Sequence, residues 1–328
     1  MVVKSPLPRS IPRPLAANGR VLRRLSFPAL GTECVVQYVA PVGDDQAARF
    51  VDAVFTWVTA FEAQYSRFRP SSLVSRINEA AGREWVVVDA ETETLFQLCD
   101  TLIQMTQGVL DPTALPLVRL WNYKSPQPRV PSPVAIEEAR RLVGWHKVRR
   151  EPGRVFLPTP GMALDFGGFG KEYAVDRVAQ IAVNHGLPGA LVDFGHDLRA
   201  VGTPPDRPAW HIGLEDPRRP GQSSGSIGVT GKGVASSGDY LRHFVIDGKR
   251  YGHVIDPRTG WPVANGCVQA TVVAPTCLQA GVLATTAFVL GATPGIEFIQ
   301  SFPGAEGILH TDRVRAQTRG FYHYVVST

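Results

Sequence analysis

The segment Leu164-Asp165-Phe166-Gly167-Gly168-Phe169-Gly170-Lys171-Glu172-Tyr173-Ala174-Val175-Asp176 constrains this chain more than any other. The apolar run Met162-Ala163-Leu164 predicts a strand that ends on Asp165. Three glycines then turn the chain into Lys171 and an amphipathic helix running to about His185, and Ala190–Phe194 predicts the next strand. Backbone N–H groups at a helix start point outward without partners and favour an anion. Gly167, Gly168 and Gly170 let a ligand approach the main chain, and Asp165 and Lys171 bracket the loop with opposite charges. The loop is not a Walker phosphate loop, which would need Gly in place of Asp165 and Ser or Thr in place of Glu172, and it does not fit G-x-G-x-x-G. A tight strand-to-helix turn is the plain alternative to a site for a phosphate-bearing cofactor.

Around this unit the pattern alternates. Cys34–Val39 predicts a strand, and Gln46–Tyr65 has the helical spacing Phe50, Val51, Val54, Phe55, Val58, Phe61. Glu84–Val88 predicts a strand, Glu91–Thr106 a helix stopped by Gly108, Lys124–Pro133 a loop and Ile136–Val143 a short helix. Further on, Trp210–Leu214 predicts a strand and Asp216–Ser226 a loop. Phe244–Ile246 and Tyr251–Ile255 form a hairpin around Asp247-Gly248-Lys249. Gln269–Ala274 predicts a strand, and Cys277–Leu290 an apolar helix ending at Gly291. With no repeat and no clear linker, the expectation is a single α+β or α/β domain, for which 328 residues suffice.

Composition narrows the partners. The net charge of +5 is modest, and no Lys/Arg block is interleaved with aromatics, so nucleic acid is not an expected partner. No apolar run is long enough to span a bilayer, and no membrane insertion is expected. Cys34, Cys99, Cys267 and Cys277 form no C-x-x-C pair and suit a reducing compartment as ordinary buried thiols. Residues 1–25 are basic (Lys4, Arg9, Arg13, Arg20, Arg23, Arg24) and proline-rich, without the apolar core of a secretory signal; they are expected to form an N-terminal arm, with residues 26–328 as the domain and a cytoplasmic location.

Two more constellations carry chemistry. Ser236-Ser237-Gly238-Asp239-Tyr240 is followed by His253-Val254-Ile255-Asp256-Pro257-Arg258-Thr259-Gly260. The second half is a turn sequence, with His253 three residues ahead of Asp256. Histidine is the usual general base near neutral pH, and Asp239 and Asp256 are expected nearby. On the late helix, Gly281 and Thr285 are one turn apart and share a face, although most of that helix is core.

In order, these motifs resemble the FAD:protein FMN transferase (ApbE) family. The likeness runs from Leu30-Gly31-Thr32 through Ser66-Arg67-Phe68-Arg69-Pro70, Ser75-Arg76-Ile77-Asn78, Asp111-Pro112-Thr113 and the glycine loop to Ser237–Tyr240, His253–Gly260, Ala274-Pro275-Thr276 and Gly291. The resemblance implies an α+β fold, a single ApbE-like domain with a duplicated strand-helix-strand motif and mixed sheets. It implies FAD as substrate, Mg²⁺, and transfer of FMN to a Thr or Ser hydroxyl of an acceptor protein with release of AMP. It also implies roles. Leu30, Phe68, Asp111, Asp165, Lys171 and Ile255 would contact FAD, the Gly168 carbonyl and Thr285 would bind the metal, and His253 would act as base.

The sequence departs from the family pattern at three places. Gly281 stands where the family's A-D-[AG]-L-A-T carries its metal-binding aspartate, Glu172 stands where a glycine usually follows the lysine, and His196-Asp197 replaces a frequent Gly-Asn. Two further readings therefore stay open: an FAD pyrophosphatase that uses water as nucleophile, and a flavin-binding homologue without catalysis.

Overall fold

The computed structural model describes residues 19–41, 45–219 and 221–326. Its centre is one eight-stranded sheet whose spatial order follows the chain: β1 (Arg20–Ala29), β2 (Thr32–Pro41), β3 (Gly189–Phe194), β4 (Asp197–Gly202), β5 (Gly233–Gly238), β6 (Cys267–Ala274), β7 (Glu306–Thr311) and β8 (Arg315–Gln317). Every neighbouring pair in it is antiparallel.

Period-two alternation along the strands sends side chains to two different cores. Ala190, Val192 and Phe194 of β3 face the helical layer, while Leu191 between them joins the opposite face. The helical layer over the first half of the sheet holds α1 (Asp45–Tyr65), α3 (Ala90–Thr106) and α6 (Gly170–Asn184). Over the second half lie α7 (Cys277–Leu290) and α8 (Ala292–Gln300). The other face is closed by a three-stranded sheet of Trp210–Glu215, Ser223–Val229 and Val325–Val326, packed through Trp210, Ile212, Ile227 and Phe321. Helices on one side of antiparallel strands make this an α+β fold. A fourth, smaller core joins α4 (Leu115–Trp121) and α5 (Pro133–Arg141) to Phe244, Tyr251 and Ile255.

Helix ends follow local chemistry. α1 buries Phe50, Val54, Val58, Phe61 and Tyr65, a stripe at three- and four-residue spacing. Asp89 caps α3 by accepting from the Thr92 N–H, and Glu91 and Glu93 sit favourably in its first turn. The loop before Pro133 and the helix from Cys277 to Leu290 lie as expected.

Several expectations are corrected. Met162–Asp165 is not a strand: Leu164 is held by the Asn78 amide, which accepts from its N–H (2.6 Å) and donates to its carbonyl (2.9 Å), so a side chain replaces a ladder. Residues 20–25, assigned to the arm, form the first half of β1 with Val21 and Leu25 buried; residues 1–18 lie outside the described residues. The strand expected over Glu84–Val88 shrinks to Val86–Val87. The loop at Asp216–Ser226 ends early, because Ser223 already pairs with Glu215. Ile255 leaves the hairpin and pairs with Pro262 instead. Helix α2 (Leu73–Glu79), capped by Ser72, and α4 were not anticipated; both are short and give little periodic signal.

Candidate active site

The glycine loop lies between the clamp at Leu164 and the start of α6. The Asp165 N–H donates to the Pro112 carbonyl (2.8 Å), and the Asp165 carboxylate accepts from the Gly167 N–H (3.0 Å). A methyl group at Gly167 would press on that carboxylate at 3.2 Å, and one at Gly170 on Phe166 at 3.3 Å. At Gly168 it would meet nothing closer than Leu110, at 3.6 Å. Thus the protein's own packing does not demand glycine at 168; the exposed backbone there leaves room for another molecule. Phe169, the residue before α6, provides no side-chain cap, so the helix presents an uncapped N-terminus to the loop.

Asp165, Gly168, Phe169, Asp111 and Pro112 line one small cleft with Leu102 and Leu110. Tertiary structure thereby brings together candidates more than fifty residues apart. Asp111 is also a structural hub. Its Oδ1 accepts from the Thr113 N–H (2.8 Å) and hydroxyl (2.6 Å), and its Oδ2 from the Trp145 N–H (3.1 Å). A larger, open depression lined by Gln64, Arg76 and Asp89 holds none of the candidates.

Neither charge bracketing the loop is free. The Asp165 carboxylate pairs with Arg67 Nε at 2.9 Å, and the Arg67 guanidinium lies 4.3 Å from the ring centroid of Phe68, whose side chain is 76% exposed. Arg67, to which its motif alone assigned no role, thus ties the exposed aromatic to the loop. Lys171 donates to the Phe194 carbonyl (3.1 Å) and pairs with the buried carboxylate of Asp197. That partner is one of the departures from the family pattern. The turn carrying it, Gly195-His196, has left-handed φ at both residues (60° and 72°), as a two-residue hairpin requires.

Leu30 also sits at left-handed φ (53°), next to Gly31. Its N–H donates to Glu62 Oε1 (2.8 Å), and Glu62 pairs with Arg69. A bulky residue in this region is strained and needs its surroundings to hold it.

Behind the start of α6 runs the seam between α6 and α7. Asp176 of α6 accepts from the Cys277 N–H (2.9 Å) and the Leu278 N–H (2.8 Å), the first N–H groups of α7. Four residues back along α6 is Glu172, and four residues on along α7 is Gly281. The two meet: a Cβ on Gly281 would lie 2.7 Å from Glu172 Cγ and 3.1 Å from its Oε1. The Glu172 Oε2 is sealed from solvent with no hydrogen-bond partner. Burial pushes this carboxyl up, and Lys171 only partly opposes that. The next four-residue step leads to Thr285, the one residue between Ala280 and Phe288 that is not fully buried, and to the loop bearing Gly168.

His253 and Ile255 do not line the cleft. Ile255 packs against the small core with Phe244 and Tyr251. The His253 ring lies 5.6 Å from Tyr123, and its Nδ1 is buried without a partner. Burial, reinforced by Arg242, lowers its pKa to about 4 and keeps the imidazole neutral near pH 7. The carboxylates expected beside it are engaged elsewhere: Asp239 pairs with Arg250 (3.2 Å) and Asp256 with Arg258 (2.8 Å). Neither orients His253.

Among the described residues no three His, Cys, Asp or Glu side chains cluster as a metal site. The available donors are a backbone carbonyl, a hydroxyl and one orphaned carboxylate oxygen. In its chemistry such an all-oxygen set would suit Mg²⁺ rather than zinc. The four cysteines are buried and free, with the Cys34 and Cys267 thiols pushed by burial up to about 12. No helix among the described residues is long and apolar enough to cross a membrane.

Fold and site together define an antiparallel α+β protein with a glycine loop ahead of one helix start that has no side-chain cap. The ApbE family profile matches residues 30–309, and the chain belongs to that family. A curated relative from Treponema pallidum, named FAD:protein FMN transferase, is 32% identical over 307 residues, covering 88% of this chain and 84% of the relative. One of the same name from Vibrio cholerae is 31% identical, covering 83% and 82%. Among solved structures, the ApbE protein from Thermotoga maritima superposes with a TM-score of 0.82 at 31% identity, covering 93% of this chain and 100% of that one. The apo form of the flavinyl transferase ApbE from Pseudomonas stutzeri gives 0.84 at 26% identity, covering 96% and 100%.

Proposed function

We propose that this protein is an FAD:protein FMN transferase: it moves the FMN half of FAD onto a Thr or Ser hydroxyl of an acceptor protein and releases AMP. The observation that carries this reading is the cradle itself, an uncapped helix start behind a glycine at 168 that no neighbour crowds, sharing a cleft with Asp111 and Asp165. A pyrophosphate is the anion that suits it.

In this reading the strained Leu30 and the exposed Phe68 would be the apolar and aromatic contacts of the isoalloxazine. Asp111 and Asp165 would position the nucleotide at the cleft, Ile255 would meet it from the neighbouring small core, and the N–H groups of α6, with Lys171 once it exchanges Asp197 for substrate, would face the phosphates. The Gly168 carbonyl and the Thr285 hydroxyl would hold Mg²⁺, which would supply charge neutralisation to the pyrophosphate. The acceptor oxygen forms a bond to the FMN phosphorus, the anhydride bond to AMP breaks, and AMP leaves with the electron pair. His253 takes the hydroxyl proton. A neutral imidazole is the form that accepts it, and the negative charge of bound FAD would raise its low basicity. Phosphoryl transfer asks mainly for positioning and charge neutralisation, and these residues are of the types that provide them.

The test is direct. The protein is incubated with FAD, Mg²⁺ and acceptor domains containing a candidate threonine or serine. Covalent FMN on the acceptor, matched by AMP and abolished when the hydroxyl residue becomes alanine, is expected. AMP without acceptor would instead identify a pyrophosphatase, and bound FAD with neither product would sink both enzymatic readings.

A further inference from the structure

The seam between α6 and α7 holds a carboxylate, Glu172, one of whose oxygens is reached by no hydrogen-bond donor. Glu172 fills the space that a side chain at Gly281 would occupy, with its Cγ 2.7 Å from the position of that missing Cβ. A residue larger than glycine at 281 and glutamate at 172 exclude each other in this packing. A sealed carboxylate oxygen without a donor is costly, and native structures rarely leave one unless something else binds it. Lys171, the adjacent cation, is engaged with Asp197 and the Phe194 carbonyl.

Register explains how Glu172 comes to be there. Asp176 pins α6 to the first N–H groups of α7, so one helical turn brings Glu172 to Gly281; the next turn of α7 is Thr285, and Gly168 stands in the loop just ahead of α6. The carboxylate therefore lies on the same seam as the two oxygen donors assigned to Mg²⁺. We infer that Glu172 supplies, from α6, the carboxylate ligand of the divalent-cation site, in place of an acidic side chain on α7 at position 281. The inference rests on the Mg²⁺-dependent reading above. It turns the departures at Glu172 and Gly281 into a single relocation: the same negative charge reaches the seam from the other helix. Mg²⁺ commonly takes only one or two protein carboxylates, so a single relocated one suffices.

The experiment measures metal binding apart from turnover. Mn²⁺, an octahedral oxygen-seeking stand-in with a paramagnetic signal, is titrated into FAD-loaded protein and the free ion is followed by electron paramagnetic resonance. Wild type is expected to bind one Mn²⁺. Glu172→Gln, nearly the same in shape, is expected to bind FAD as wild type does in EDTA and to lose Mn²⁺ affinity at least tenfold. The double variant Glu172→Gly with Gly281→Asp returns the carboxylate to α7 and should recover Mn²⁺ binding, guarding against a trivial folding defect in the first variant. Unchanged Mn²⁺ affinity in Glu172→Gln overturns the inference. So does wild type that binds FAD but no Mn²⁺, and in that case FAD binding itself still stands. Wild type that binds no FAD at all overturns the proposed function, and this inference with it.

Discussion

Leu30, Gly195 and His196 all lie at left-handed φ, and all three belong to the tight turns of β1–β2 and β3–β4. Gly195 is the most constrained: a methyl group there would stand 2.4 Å from Thr32 Oγ1. The Leu30 strain coincides with a residue proposed to meet the flavin, which a profile of apolar spacing would not reveal. At this scale His253 makes a pH prediction. Its pKa is about 4 in the fold against an ordinary 6.5, because burial disfavours the charged ring. The unfolded chain therefore binds the extra proton first as pH falls. The His253 contribution to stability is complete above pH 6.5, declines between 6.5 and 4, and is gone below. Its slope is at most about 1.4 kcal/mol per pH unit and less where water reaches the ring. Urea denaturation of wild type and His253→Asn across this window should show the steeper loss in wild type; parallel profiles would refute the buried neutral imidazole. The glycine loop and His253 were visible from residue types alone. Arg67 as partner of Asp165, and Asp197 as partner of Lys171, were not, because each pair joins segments far apart in the chain.

At the scale of elements, α6 and α7 behave as one unit. Helix α7 was predicted to the residue, since a mostly apolar run that ends at Gly291 has one local solution. What the run does not contain is which face meets α6. Asp176 decides it by capping α7 from 101 residues away. This coupling predicts non-additivity. Gly281→Asp alone forces atoms into the Glu172 side chain and should destabilise the fold by about 1–3 kcal/mol, the usual cost of overpacking. Adding Glu172→Gly should recover most of that loss, giving an interaction energy above about 0.5 kcal/mol in a double-mutant cycle by thermal denaturation. Strictly additive effects would mean the two positions do not share the space. The missing strand before Asp165 has a related cause. Apolar residues in an extended segment look like a strand, but here the polar groups of Leu164 are satisfied by Asn78.

The whole molecule places one helical layer over both halves of a single antiparallel sheet and sets the cradle where α6 begins, beside α7. A substrate held across that site stabilises the folded state alone. FAD at 100 times its Kd is expected to add about 2.7 kcal/mol and to raise Tm by roughly 5 °C, with FMN and AMP separately shifting it less. A Tm indifferent to FAD at every concentration would count against the site. The sequence by itself determined a single domain of mixed helices and strands, the glycine loop and most helix bounds, because caps, turns and hydrophobic periods are local properties, and its ordered motifs pointed to the family and through it to the α+β class. Only the tertiary structure decided that Glu172 lies in the gap left by Gly281, that both charges beside the loop are already paired, and that Asp239 and Asp256 do not serve His253. Those outcomes depend on the register at which distant helices and turns meet, and that register is set by packing and long-range hydrogen bonds that no local pattern encodes.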